Sequence, residues 1–130
     1  MELGDAMEQA VQYFRLLLIA GQGTAAREYL DRRGLQEDAQ ERWGIGYAPN
    51  TRQGLLTHFR QKGVAEDLVV AAGLAIKPDD GGPAHDRFRD RIIFPIRNDW
   101  GRTVSLGGRA LDPHARAKYL TGPTTDLFDK

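Results

Sequence analysis

Apolar residues in the first half of the chain recur every three or four positions. Met7, Ala10, Val11, Phe14, Leu17 and Leu18 form one stripe, which predicts a helix over residues 5–19 with that stripe buried. Gly21 and Gly23 break it. Thr24 is placed to cap a second helix that carries Ala25, Ala26, Tyr29 and Leu30 and stops at Gly34. Glu37 and Asp38 suit the first turn of a third helix, where carboxylates face the positive dipole end; it ends near Trp43 and Gly44. Trp43 lies at helical spacing from Ala39 and is expected in the core. Residues 45–50 read as a turn, because Ala48 precedes Pro49 and is biased away from helix. Thr51 is placed to cap a fourth helix with Leu55, Leu56 and Phe59 inward, closed by Gly63. A fifth, short helix is expected from about Ala65 to Ala72, ending at Gly73.

The period then changes. Residues 77–85 are rich in Pro, Gly and Asp and read as a loop. Over 87–97 the chain alternates: Phe88, Ile92, Phe94 and Ile96 fall on one side, and Arg87, Arg89, Arg91 and Arg97 on the other. Pro95 lacks an amide hydrogen and suggests an edge strand, or the end of pairing. Residues 98–101 suit a hairpin loop. Val104 and Leu106 return as the partner strand, interrupted at Gly107 and Gly108, and Lys118, Tyr119 and Leu120 suit a last short strand. The expected fold is α+β: a helical cluster over about 5–76, then a small, mainly antiparallel sheet over about 86–120, in one domain.

Composition adds exclusions. With 41% hydrophobic and 28% charged residues the chain is of globular type. It has no cysteine, which removes disulfides, thiolate zinc sites and cysteine nucleophiles, and fits a reducing compartment such as the cytoplasm. The apolar run from Leu16 to Ala20 is too short to span a bilayer and follows Glu2, Asp5 and Glu8, so neither a signal peptide nor a membrane partner is expected.

Net charge is zero, so only local clustering carries information. Between Asp86 and Lys118 there are eight Arg or Lys against four Asp, a surplus that directs attention to this segment. Guanidinium forks match phosphate geometry, and a strand spaces same-face residues ~6–7 Å apart, near the phosphate repeat of a stretched single strand. The plainer alternative is a solvated sheet face with Asp86 and Asp90 paired to neighbouring arginines. Gly107 and Gly108 would let a phosphate approach beside Arg109, or mark a β-bulge. Trp100, at a hairpin tip, is a better base-stacking candidate than Trp43. His58, His85 and His114 lack metal-ligand spacing, Ser105 has no nucleophile-elbow context, and no clustered carboxylates suit a two-metal centre.

The order of short motifs carries a resemblance: "YLDRRGL" (29–35), "WGIGYAPN" (43–50), "AAGLAI" (71–76), "DRFRDRIIFPIRNDWGR" (86–102), "LGGRAL" (106–111) and "KYLTGPTTDLF" (118–128), with a final Lys130. From about Ala10 onward the chain is similar to the N-terminal part of the RNA polymerase core of bacterial DnaG-type DNA primases. The resemblance implies an excised subdomain of a DNA-directed RNA polymerase, a nucleotidyltransferase that makes RNA primers for replication. The zinc-binding domain before it and the TOPRIM fold after it would lie outside this chain. TOPRIM would hold Mg or Mn, and zinc would sit in the N-terminal domain; the fragment itself would bind no cofactor and be inactive alone. The implied partners are single-stranded DNA template, RNA primer, nucleoside triphosphates and, for the parent, a replicative helicase. Carried over onto matching positions, the phosphate-gripping residues are Arg33, Arg87, Arg89, Arg109, Lys118 and Lys130. The family usually has Tyr where His85 stands, Phe where Leu106 stands, and Asn-Ser-Pro-Glu-Thr where residues 121–125 stand. A non-catalytic single-stranded nucleic-acid-binding module is the alternative, and a purely structural subdomain with internally paired arginines a third reading.

Overall fold

The computed structural model describes residues 1–123 and Thr125. Helix α1 runs Leu3–Ile19 and buries Ala6, Met7, Ala10, Val11, Phe14 and Leu18, the expected stripe except that Leu17 is only half-buried and Ala6 joins it. It begins two residues earlier than the periodicity suggests, because the Glu2 amide donates to Asp5 Oδ2 (3.1 Å) and closes the first turn. A single tight turn, Gly21–Gly23, leads into α2, Thr24–Arg32. Thr24 does not cap α2: it is already helical, and its hydroxyl donates back to the Gly21 carbonyl (2.9 Å). Helix α3 is Glu37–Trp43. Trp43 is not in the core but 58% exposed, on the outer side of the last turn.

Residues 45–50 contain a strand, not only a turn. Strand β1, Gly46–Ala48, pairs antiparallel with Ile93, Ile92 and Arg91 farther along the chain. The extended geometry that Pro49 imposes on Ala48 suits a strand as well as a turn, and three residues are too few to show a period. A Cβ on Gly46 would lie 2.6 Å from the Phe14 backbone, so glycine there lets α1 lie directly on the strand.

Helix α4, Gly54–Gln61, starts three residues after Thr51, which does not cap it. The cap comes from Asp86, whose carboxylate accepts from the Leu55 amide (2.8 Å) and the Leu56 amide (3.1 Å). Helix α5 is Glu66–Ala71. Two short strands, β2 (Ala75–Ile76) and β3 (His85–Asp86), bracket the expected loop and pair with each other.

The main sheet is antiparallel in the order β1-β4-β5-β6, with β4 at Arg91–Arg97, β5 at Thr103–Ala110 and β6 at Tyr119–Thr121. The strand expected over 87–97 is shorter because Asp90 has φ +53°, a left-handed backbone that ends extended pairing. Strand β4 is internal, not an edge, but Pro95 lies beyond the three residues that β1 reaches. Gly107 and Gly108 stand within an unbroken β5; the register shift falls instead between Ile96 and Arg97. A Cβ on Gly108 would sit 2.8 Å from the Phe88 ring, so this glycine is a packing requirement.

Apolar side chains cover both sheet faces. One core joins Met7, Val11 and Phe14 with Leu55, Phe59, Phe88, Ile93 and Leu106. The second joins Leu18, Ala26 and Leu30 with Ile45, Tyr47 and Ile92. Consecutive Ile92 and Ile93 therefore serve opposite cores.

Candidate nucleic-acid interface

The sheet register lines up Tyr47, Ile92, Arg109 and Tyr119 across four strands. The Tyr47 hydroxyl donates to Asp90 Oδ1 (3.0 Å). Burial, followed by this bond to a carboxylate, pushes its pKa up to about 12, so it stays a neutral donor. Next along the row, the Arg109 guanidinium lies 5.3 Å from the Tyr29 ring centre and 5.0 Å from that of Tyr119, and donates to the Tyr119 hydroxyl. Arg33 lies 5.0 Å from the same Tyr29 ring. Tyr29 and Arg33 are one helical step of four apart on and just after α2 and so share a side. Two cations of distant sequence thus converge on one aromatic ring. Cation–π contacts of this kind contribute ~0.5–1 kcal/mol each at exposed sites, enough to orient the groups; Arg109 is half-buried, and its Nε is covered without a hydrogen-bond partner among the described residues.

The expected row Arg87, Arg89, Arg91 does not exist as one face. Arg91 is buried and donates to the carbonyls of Gly108 (3.3 Å), Lys118 (3.2 Å) and Ala117 (2.7 Å); it ties β6 to the sheet. Arg87 is half-buried, with Nε donating to the Gly73 carbonyl (2.7 Å). Burial lowers its pKa. Arg89 is exposed. The ring of Phe88, between them, packs on the side of Gly108 where a Cβ would lie. Alternation along β5 then puts the Arg87–Arg89 segment on the sheet side opposite the Arg109 side chain. The cations form two groups: Arg33 with Arg109, and Arg87 with Arg89.

Neither Asp86 nor Asp90 lies within ion-pair distance of an arginine, although Arg89 acts on Asp86 and Asp90 on Arg91 through space. Asp86 caps α4 and Asp90 accepts from Tyr47. Among the described residues the one ion pair is Arg42 with Asp38 at 3.9 Å, both exposed. The site arginines and Lys118 therefore have no carboxylate within ion-pair reach among those residues. The Lys118 side chain is exposed while its carbonyl accepts from the Ala110 amide (2.8 Å). Lys130 and Thr124 lie outside the described residues. Trp100 is 85% exposed at the hairpin tip, but β5 begins there and Arg109 lies near its other end, ~20 Å away at strand rise. Sequence reasoning missed Tyr29 and Asp86. The i, i+4 spacing of Tyr29 and Arg33 was a usable signal for the first; nothing local announces that Asp86 caps a helix from beyond a loop.

No group of three or more His, Cys, Asp or Glu among the described residues is arranged to hold a metal ion. The described side chains thus offer no ligand set for a magnesium or zinc centre. They fit charge recognition. No helix of the described residues is long and apolar enough to cross a membrane.

Residues 13–130 match the family model described as DNA primase catalytic core, N-terminal domain. The chain belongs to this family. It is 40% identical over 118 residues to a DNA primase of Listeria monocytogenes, covering 91% of this chain and 19% of that protein. It is 42% identical over 121 residues to a DNA primase of Deinococcus radiodurans, covering 93% and 20%. This primase-core domain thus spans about a fifth of the length of the curated relatives it matches. Among solved structures, it superposes with a TM-score of 0.89 on the RNA polymerase domain of Mycobacterium tuberculosis primase DnaG in complex with a double-stranded DNA oligomer with a 6-nucleotide overhang. Identity there is 33%, over 98% of this chain and 40% of that one. The DnaG primase catalytic domain bound to ssDNA gives a TM-score of 0.87 at 34% identity, over 98% and 39%.

Proposed function

We propose that this domain forms a basic wall of the cleft in which a longer primase holds single-stranded template, RNA primer and nucleotide phosphates. Arg33, Arg87, Arg89, Arg109, Lys118 and Lys130 are the gripping residues. The observation that carries this is the convergence of Arg33 and Arg109 on Tyr29 with no carboxylate in reach among the described residues. A purely structural arginine would spend both terminal nitrogens on carbonyls, as Arg91 does, whereas the bond Arg87 makes to the Gly73 carbonyl comes from its Nε. Oriented and unneutralised guanidinium groups supply what phosphoryl transfer asks of a cleft wall, namely positioning and charge neutralisation. The divalent metals of that reaction would come from carboxylates elsewhere in the longer protein. Relatives of this domain have been solved with double-stranded DNA bearing an overhang and with ssDNA, which supports nucleic acid as the ligand.

The test is Arg109→Gln and Arg33→Gln in the full-length protein. Template affinity, followed by fluorescence anisotropy, should fall about tenfold for Arg109→Gln, the loss of roughly 1.4 kcal/mol from one charged contact. Primer synthesis should fall with it. Unchanged affinity and synthesis in both variants would sink the reading.

A further inference from the structure

We propose that Arg52 and Arg89 form a phosphate seat beside the lead-in to α4, a second point at which this domain holds the nucleic-acid backbone. Arg52 belongs to none of the motifs that relate this chain to its family. It lies two residues before α4, and its carbonyl accepts from the Asp86 amide (2.7 Å). Gln53 Nε2 donates to the Ala84 carbonyl (2.8 Å). Residues 52–53 thus run beside 84–86 much as a paired strand would, and this brings Arg52 to the cluster of His85, Arg87 and Arg89.

The surroundings favour an anion there. The one acid of the cluster, Asp86, is buried and uses both carboxylate oxygens on the Leu55 and Leu56 amides. Arg87 is already held by the Gly73 carbonyl. Arg52 and Arg89 are exposed, and among the described residues neither guanidinium donates a hydrogen bond or stands in an ion pair, although Arg89 is near enough to the buried Asp86 carboxylate to lower its pKa. Burial first, and then the charges of Arg52, Arg89 and Arg87, lower the pKa of His85. The second part of that shift places the three arginine charges within electrostatic reach of one ring. The ring stays neutral near pH 7 and leaves the two free forks as the charged groups. Two exposed guanidinium forks that both reach the surroundings of His85 suit bidentate recognition of a phosphate.

This seat rests on the nucleic-acid reading above, so the experiment separates the two. The full-length protein and its Arg52→Gln, Arg52→Lys, Arg89→Gln and Arg109→Gln variants are titrated with fluorescein-labelled oligothymidylate over a salt series. Each lost phosphate contact on a single strand should make the log–log salt slope less negative by about 0.7. Arg52→Gln and Arg89→Gln should each show that change, and Arg52→Lys should keep the wild-type slope. If Arg109→Gln changes the slope and Arg52→Gln does not, the seat is overturned and the cleft-wall reading stands. If Arg52→Gln changes it and Arg109→Gln does not, the seat stands and the interface belongs to the Arg52 side. If none changes it, both fall. Should Arg52→Gln melt early, Arg52→Met, titrated at a temperature at which it is folded, decides in its place, because Arg89 also belongs to the cleft wall.

Discussion

Asp86 sits among arginines in "HDRFRD" and reads locally as an ion-pair partner, yet it folds into the role of a helix cap. Its two oxygens serve α4 amides 31 and 30 residues earlier in the chain. Replacing it with alanine leaves two buried donors without partners and should cost about 1–3 kcal/mol, readable as a lower denaturant midpoint. If the motif acid served only to balance charge, the midpoint would hardly move. The histidines give a pH prediction. Burial is the first cause that lowers the pKa of both His58 and His85 from 6.5. The unfolded chain then binds more protons than the folded one just below that pH. The stability these neutral rings contribute should be complete above pH 6.5 and be lost as pH falls through the window beneath it. Equilibrium unfolding between neutral and mildly acidic pH checks this, and replacing both histidines should flatten the dependence. At this scale residue types were legible and partners were not: Arg87, Arg89 and Arg91 look alike in sequence, but one is half-buried, one exposed and one buried against three carbonyls.

Among elements, α2 meets the sheet partly through the layered Tyr29, Arg109 and Tyr119. Tyr29→Ala should cost both stability and template affinity, because Arg109 loses the ring that orients it. Tyr29→Phe keeps the ring face and should cost little, and a large affinity loss in that variant would place the hydroxyl rather than the ring at the site. Gly108→Ala tests the other face. Its Cβ would meet the Phe88 ring at 2.8 Å, and such overpacking costs about 1–3 kcal/mol. The long helices were readable because their stripes repeat over several turns. Strand β1 was not, because three residues cannot display a period. The strand over 87–97 was overextended because alternation continues through Asp90, whose positive φ ends the pairing.

Across the whole molecule, the chain corresponds to about a fifth of its curated relatives, and its described residues hold no metal-binding cluster. If the domain works as one wall of a cleft that other parts of a longer protein complete, the isolated 130-residue chain should make no primers when supplied with magnesium, template and nucleotides. It should still bind single strands weakly, with affinity that fades steeply as salt rises. Primer synthesis by highly purified material would mean that the chain carries a reaction centre of its own, and salt-independent binding would rule out a phosphate grip.

The sequence by itself determined which side of each long helix is buried, the α+β order, the basic surplus after residue 86 and, through motif order, the family. Those properties depend on local periodicity and composition, which a chain displays before it folds. Only the tertiary structure decided which cations remain free. Whether a guanidinium meets a carbonyl, a ring or water depends on groups tens of residues away, as with Arg91 and Ala117 or Arg109 and Tyr29. The register of β4 against β5 and the seating of α2 on the sheet set those meetings, and neither is written in any one segment.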